Sequence, residues 1–90
     1  RLQVYIRNKT AIDLTPFTTF YITCRSGNYS GVKVGITADS SASSWRVKTT
    51  TPDQSKNTLS LDVSNFEILT GYIYFGMTYG GIEIFDAWFE

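Results

Sequence analysis

Alternation is the feature that most constrains this chain. Leu2, Val4 and Ile6 alternate with Gln3, Tyr5 and Arg7, and Phe20, Ile22 and Cys24 alternate with Tyr21, Thr23 and Arg25. The same period of two runs through Val32, Val34 and Ile36, through Trp45 and Val47, through Leu59, Leu61 and Val63, and through Ile73, Phe75 and Met77. A last run, Ile82–Phe89, is apolar on both sides, as expected of a central strand or of one whose face switches at a bulge. Apolar residues at every second position turn one face of an extended strand to a core and the other to solvent. No window of a dozen residues carries the stripe of an amphipathic helix. Closely spaced strands of this kind predict an antiparallel sandwich or barrel, and two sheets packed face to face would bury every apolar face.

The punctuation agrees. Ser26-Gly27-Asn28, Gly31 and Tyr79-Gly80-Gly81 are turn clusters. The Ser-rich segment 38–44 and the segment 50–57, which holds Pro52-Asp53, are expected to be mobile surface loops. Ninety residues make one domain, 1–90, and 42% hydrophobic against 18% charged residues marks it as folded rather than disordered. The start at Arg1 and the end in an apolar run lead us to expect a domain cut from a longer polypeptide, with that chain's other domains as neighbours.

The chain has no histidine and one cysteine. Ser-His-Asp triads, Cys-His pairs and Cys/His zinc sites are therefore excluded within it. Cys24 has no partner for an internal disulfide, so the core must carry the fold, and Cys24 is expected there as a small hydrophobe. Eight Lys+Arg balance eight Asp+Glu, which gives no basic footprint for nucleic acid. Lys33, Arg46 and Lys48 fall on outward positions but are too few for one. No apolar run approaches the roughly 18 residues of a membrane span, so neither membrane insertion nor a signal peptide is expected. The balance hides an asymmetry: residues 1–48 hold seven bases and two acids, and residues 49–90 hold one base and six acids. Cross-strand pairing of early bases with late acids is the simplest account.

One internal echo goes beyond periodicity. Ile12-Asp13-Leu14-Thr15-Pro16-Phe17 and Leu61-Asp62-Val63-Ser64-Asn65-Phe66 share the pattern apolar-Asp-apolar-Ser/Thr-x-Phe. Each copy predicts a short strand ending at the Asp, a Ser/Thr hydroxyl capping a single helical turn, and a Phe folded back over the open end of the core. Pro16 would take the first helical position, and Ser64 with Glu67 has capping-box spacing. Strands at 19–24 and 72–77 follow. The segments around the two copies do not match, so no repeat array is expected.

These two boxes, with the aromatic strand Gly71-Tyr72-Ile73-Tyr74-Phe75-Gly76 and the closing run Gly81-Ile82-Glu83-Ile84-Phe85-Asp86-Ala87-Trp88-Phe89, resemble the layout of small jelly-roll modules. The layout is similar to β-sandwich domains of tail-associated, minor structural proteins in phages and prophages of Gram-positive bacteria, and to galactose-binding-like carbohydrate-binding modules. The resemblance runs from about residue 12 to 89 and leaves 27–57 unmatched. It implies an all-β, antiparallel jelly-roll sandwich of about seven to eight strands. It implies a non-enzymatic structural or adhesion module on a virion, outside the cell or at its surface, contacting host-surface polysaccharide. The alternatives are an accessory carbohydrate-binding module of a secreted bacterial enzyme or surface protein, and a spacer without a ligand.

Tyr5, Tyr21, Tyr72, Tyr74 and Tyr79 fall on the faces opposite the aliphatic residues. Such tyrosines can stack on sugar rings and hydrogen-bond through their tips, though Tyr is also simply a good strand residue. Trp45 and Trp88 are expected to pack in the core, with Trp45 the more exposed because it follows the Ser-rich loop. The candidate ligand-binding residues are Tyr72, Tyr74, Tyr79, Tyr21 and Trp45. No catalytic residue is assigned among Asp13, Asp39, Asp53, Asp62, Glu67, Glu83, Asp86 and Glu90: the boxes occupy Asp13 and Asp62, and loops carry Asp39 and Asp53. No cofactor or metal site is assigned. Structural calcium, common in jelly-roll modules, would need an ordered Asp/Asn cluster that the sequence does not display. Asn8-Lys9-Thr10 and Asn28-Tyr29-Ser30 match the glycosylation sequon, a pattern frequent by chance in Asn/Ser/Thr-rich chains and without meaning in a bacterial or phage protein.

Overall fold

The computed structural model describes residues 1–4, 11–27, 32–38, 47–64, 70–76 and 81–90. These contain eight strands and no helix: β1 (Leu2–Gln3), β2 (Ile12–Asp13), β3 (Thr19–Ser26), β4 (Lys33–Thr37), β5 (Val47–Thr50), β6 (Asn57–Asp62), β7 (Thr70–Gly76) and β8 (Ile82–Phe89). They form two antiparallel four-stranded sheets, ordered β1-β8-β3-β6 and β2-β7-β4-β5. The chain is all-β, in two layers, as the alternation requires.

The pairing is nested. β1 pairs with β8, β2 with β7, β3 with β6 and β4 with β5, as in one long hairpin folded over. Rolling that hairpin adds the β3–β8 and β4–β7 ladders and makes the two sheets. Every connection except β4–β5 therefore crosses from one sheet to the other. Advancing each strand number of the first sheet by four, cyclically, turns β1-β8-β3-β6 into β5-β4-β7-β2, which is the second sheet read backwards. The fold has a pseudo-twofold relation between its halves, and the sequence echo sits on it. Asp13 of the first box pairs with Thr70 at the start of β7, and Asp62 of the second pairs with Thr19 at the start of β3.

The core lies between the sheets. Phe20, Ile22 and Cys24 of β3, with Ala87 and Phe89 of β8, face Val34 and Ile36 of β4. Fully burying one such Ile, Val or Phe side chain contributes about 1.5–3 kcal/mol. Phe89 meets the Phe20 ring at 4.9 Å and the Phe17 ring at 5.4 Å, both tilted. Phe17 thus packs over the core as the first box predicts; Phe66 lies outside the described residues. Cys24 is buried in the core, and burial, with the nearby Asp53 charge, pushes its thiol pKa up. Gly71 of β7 leaves room for core side chains: a Cβ there would lie 2.7 Å from the side chain of Ile36, on the neighbouring strand β4, and 3.1 Å from that of Leu14.

β8 shows both properties expected of a run that is apolar on two sides. It is central, flanked by β1 and β3, and its register against β3 shifts between Thr23 and Cys24. Thr23 opposes Asp86 while Cys24 opposes Ile84, so Phe85 is the extra residue of a bulge. Ile82 and Ile84 face inward before it, Ala87 and Phe89 after it. Trp88 is thereby turned outward, half-buried, against the expectation of core packing: the bulge reverses the parity of everything after it.

The corners differ from the expectation in a specific way. Both strands end at the Asp, but it is the carboxylate that does the capping. Asp13 Oδ1 accepts hydrogen bonds from the Thr15 N–H at 3.0 Å and from the Thr15 hydroxyl at 2.7 Å. Asp62 Oδ1 accepts in the same way from the N–H and hydroxyl of Ser64. The hydroxyls donate instead of accepting, and the first corner is a tight turn closed by Phe17 N–H to the Leu14 carbonyl at 3.1 Å, not a helical turn. Pro16 sits at the third position of that turn, and Glu67 lies outside the described residues. These bonds hold the Asp13 and Asp62 carboxyls below the ordinary aspartate range, with Lys48 adding to the effect at Asp62. A third corner, Asp53-Gln54-Ser55, repeats the device: Asp53 Oδ1 accepts from the Ser55 N–H at 2.8 Å and from Asn57 Nδ2 at 3.1 Å. All three corners carry the chain between sheets, at β2–β3, β5–β6 and β6–β7. The segment 50–57 is accordingly fastened rather than loose. Pro52 is buried and the Asp53 carbonyl accepts the Ser26 N–H at 2.6 Å. Segment 39–46 and both sequons lie outside the described residues.

Candidate functional site

The sandwich offers two outer faces. On the face of β2-β7-β4-β5, β7 turns Gly71, Ile73 and Phe75 inward and Tyr72 and Tyr74 outward. Tyr72 stands opposite Thr37, and Tyr74 opposite Gly35. Tyr74 has glycine on two sides, because a Cβ added at Gly76 would come within 2.5 Å of its hydroxyl and 3.0 Å of Cζ. The phenol ring lies down along the strand over Gly76 instead of standing up from it. Gly35 is fixed by a different contact: a Cβ there would lie 1.9 Å from the Lys48 carbonyl oxygen, so β5 can approach β4 only across a glycine. Lys33, exposed, stands opposite Gly76 on the same face.

On the face of β1-β8-β3-β6 the outward side chains are tied to one another. Trp88 stacks on Tyr21 at 5.2 Å, with 17° between the rings. The Arg1 guanidinium lies 4.3 Å from the Trp88 ring centroid on the β1 side and makes a 3.0 Å ion pair with Asp86. Gln3 donates its side-chain N–H to Asp86 as well. The Gln3 bond is the largest of the influences that hold the Asp86 carboxyl below its ordinary pKa. The indole N–H of Trp88 is buried and meets no acceptor among the described residues. Further along, Thr23 and Thr58 join hydroxyls at 2.8 Å, and Arg25 pairs with Glu83 at 2.6 Å. Both ion pairs among the described residues join an early base to a late acid, in line with cross-strand pairing of the two halves.

The sequence-predicted residues are therefore divided. Tyr72 and Tyr74 share one outer face, Tyr21 lies on the other beneath a stack with Trp88, and Tyr79, Trp45 and Tyr5 lie outside the described residues. Lys48, expected outward, stands opposite core residue Ile36 on the edge strand β5, and its ammonium donates to the Asp62 carbonyl, linking the edges of the two sheets. Sequence reasoning missed Phe85, which the bulge turns to solvent at 43% exposure with Lys56 Nζ 4.3 Å from its ring centroid. The signal for it was the doubly apolar run, which announces a bulge without saying where it falls. Among the described residues, no three metal-binding side chains converge. The chain matches no protein-family model, no curated protein and no solved structure.

Proposed function

We propose that this is a jelly-roll-type sandwich serving as a non-enzymatic structural or adhesion module of a phage tail-associated protein, with a contact to host-surface polysaccharide. The nested pairing of β1–β8, β2–β7, β3–β6 and β4–β5 supports the topology, because two interlocked Greek keys pair their strands in this way. The observation that carries the contact is Tyr74 laid over Gly76, opposite Gly35, with Tyr72 on the same face. A phenol lying along a sheet on glycines offers a flat apolar surface with a hydroxyl at its edge, matched to a sugar ring. Tyr21 is the weaker candidate because Trp88 already occupies its ring. The test is affinity electrophoresis and a glycan array on the wild type, Tyr72→Ala and Tyr74→Ala, with thermal melts as the folding control. We expect wild-type binding to at least one glycan and a loss of about tenfold or more in Tyr74→Ala, on the scale of an aromatic stacking contact. Binding that survives both substitutions would sink this site, and no glycan binding by the wild type would leave the spacer as the function.

A further inference from the structure

We infer a second ligand site on the opposite face, centred on Phe85, that takes anionic polysaccharide. It shares with the preceding reading the view that the sandwich meets polysaccharide, but it uses other residues, so either can fail alone. Phe85 is one of two large apolar side chains exposed among the described residues, and it is exposed because the β8 bulge gives Thr23 two outward neighbours, Phe85 and Asp86. Bulges re-aim side chains, and nothing in the packing of the core requires this one to aim a phenylalanine at water.

Its surroundings define the ligand. Lys56 Nζ lies 4.3 Å and the Arg25 guanidinium carbon 5.9 Å from the Phe85 ring centroid. Arg25 is engaged by Glu83, whereas Lys56 has no carboxylate partner among the described residues. Lys56 is held by the fastened corner, in which Asp53 accepts from both Ser55 and Asn57 on either side of it. Alongside the ring runs a strip of hydroxyls, the bonded pair Thr23–Thr58 and then Ser60 on the edge strand β6. The site thus offers one exposed ring, a lysine ammonium over that ring with no carboxylate on it among the described residues, and several hydroxyl partners on an open sheet. A protein partner would need a broad apolar centre, of which a single ring supplies little. A sugar unit carrying an acidic group presents one apolar ring face, one negative charge and hydroxyls at its rim, and it fits each of these features. The anion is a carboxylate or a phosphate ester, and the geometry favours neither.

The experiment is affinity electrophoresis of the whole chain in gels holding a uronic acid polymer, a glycerol-phosphate polymer, neutral dextran or polyglutamate. We expect retardation by at least one of the two anionic carbohydrates, and little by dextran or polyglutamate. The carbohydrate that acts identifies the acidic group. Phe85→Ala and Lys56→Gln should each weaken that retardation about tenfold, the size of one charge-assisted contact. Both positions are exposed, so thermal melts should stay close to wild type, and Lys56→Gln serves if Phe85→Ala does not fold. Lys33→Gln removes the same charge on the other face and should have no effect, as should Tyr74→Ala. Equal weakening by Lys33→Gln, retardation by polyglutamate as strong as by the sugars, or no retardation by either anionic carbohydrate would overturn the inference.

Discussion

The two outer faces of this sandwich are built on opposite plans. On the β1-β8-β3-β6 face, neighbouring strands are linked by their side chains: Arg1 to Asp86, Trp88 to Tyr21, Thr23 to Thr58, Arg25 to Glu83. On the β2-β7-β4-β5 face, side chains are removed where strands crowd. Gly35 admits the backbone of β5 and Gly76 admits the ring of Tyr74. The first plan uses polar and aromatic cross-strand pairs, each contributing about 0.2–1 kcal/mol, and leaves few rings free. The second leaves Tyr72 and Tyr74 half-buried, with no ring stacked on either among the described residues. A ring committed to a neighbour is unavailable to a ligand, which is why the tyrosine face is the better candidate for the neutral part of a glycan. The exception on the first face is Phe85, whose ring is exposed and meets the cationic ends of Lys56 and Arg25 rather than another ring, and a bulge is what makes it one.

The contrast predicts that the faces break differently. Gly35→Ala should be the most damaging, because its Cβ would strike the Lys48 carbonyl, which is backbone and cannot rotate away. We expect a loss of about 3 kcal/mol or more, at the upper end for overpacking, read as a lowered denaturation midpoint. Trp88→Ala should cost about 2 kcal/mol, less than a fully buried tryptophan, because part of the side chain is already exposed. Trp88→Phe separates ring from N–H. It keeps much of the stack on Tyr21 and deletes a buried donor with no acceptor, so it should be neutral or stabilising by up to about 1 kcal/mol. A loss equal to that of Trp88→Ala would mean that the indole N–H is satisfied after all. Gly76→Ala should cost under about 1 kcal/mol, because the atom it meets is the far end of the Tyr74 side chain, which can swing aside. Its effect should appear in the Tyr74 ring resonances and in glycan affinity rather than in the melt.

Much of this fold was legible because alternation is a local property. The apolar residues of β3, β4, β6 and β7 could be assigned to the core one strand at a time. The corners were legible in place but not in chemistry. Asp, Ser and Thr serve both helix caps and Asx-type turns, and spacing alone does not say which oxygen accepts. The third corner, Asp53-Gln54-Ser55, went unread because no following Phe marks it. Which face a residue shares with others was not legible, since that depends on sheet order. Tyr21 and Tyr74 have the same local pattern, and only the strand order β1-β8-β3-β6 against β2-β7-β4-β5 puts them on opposite sides. Trp88 and Phe85 were misplaced or missed for one reason: a single extra residue in β8 flips the parity of the strand, and the sequence does not mark the residue at which it enters.

The smallest predicted effect tests whether the linked face depends on charge. The Asp86 carboxyl is held below the ordinary aspartate pKa by the Gln3 hydrogen bond first, against the opposing effect of burial, with smaller contributions from the Ala87 N–H and Arg1. A carboxyl whose pKa is lower in the folded chain than in the unfolded one binds fewer protons when folded. It therefore stabilises fully above the unfolded value of about 3.9, and that contribution is lost as the pH falls through the lower folded value. Asp13 and Asp62 act in the same direction at the corners, so the acid limb of the wild-type melt sums several groups. Comparison with Asp86→Asn isolates one of them. The difference in Tm between the two proteins should be constant from about pH 5 upward and should shrink below the ordinary aspartate range, because protonated Asp86 and Asn then carry the same charge. Added salt should reduce the Arg1 part of the difference but not the Gln3 part, since screening weakens exposed ion pairs more than short hydrogen bonds. A difference that persists unchanged at low pH would assign the role of Asp86 to the shape of its side chain, and the first face would then be held by packing, as the second is.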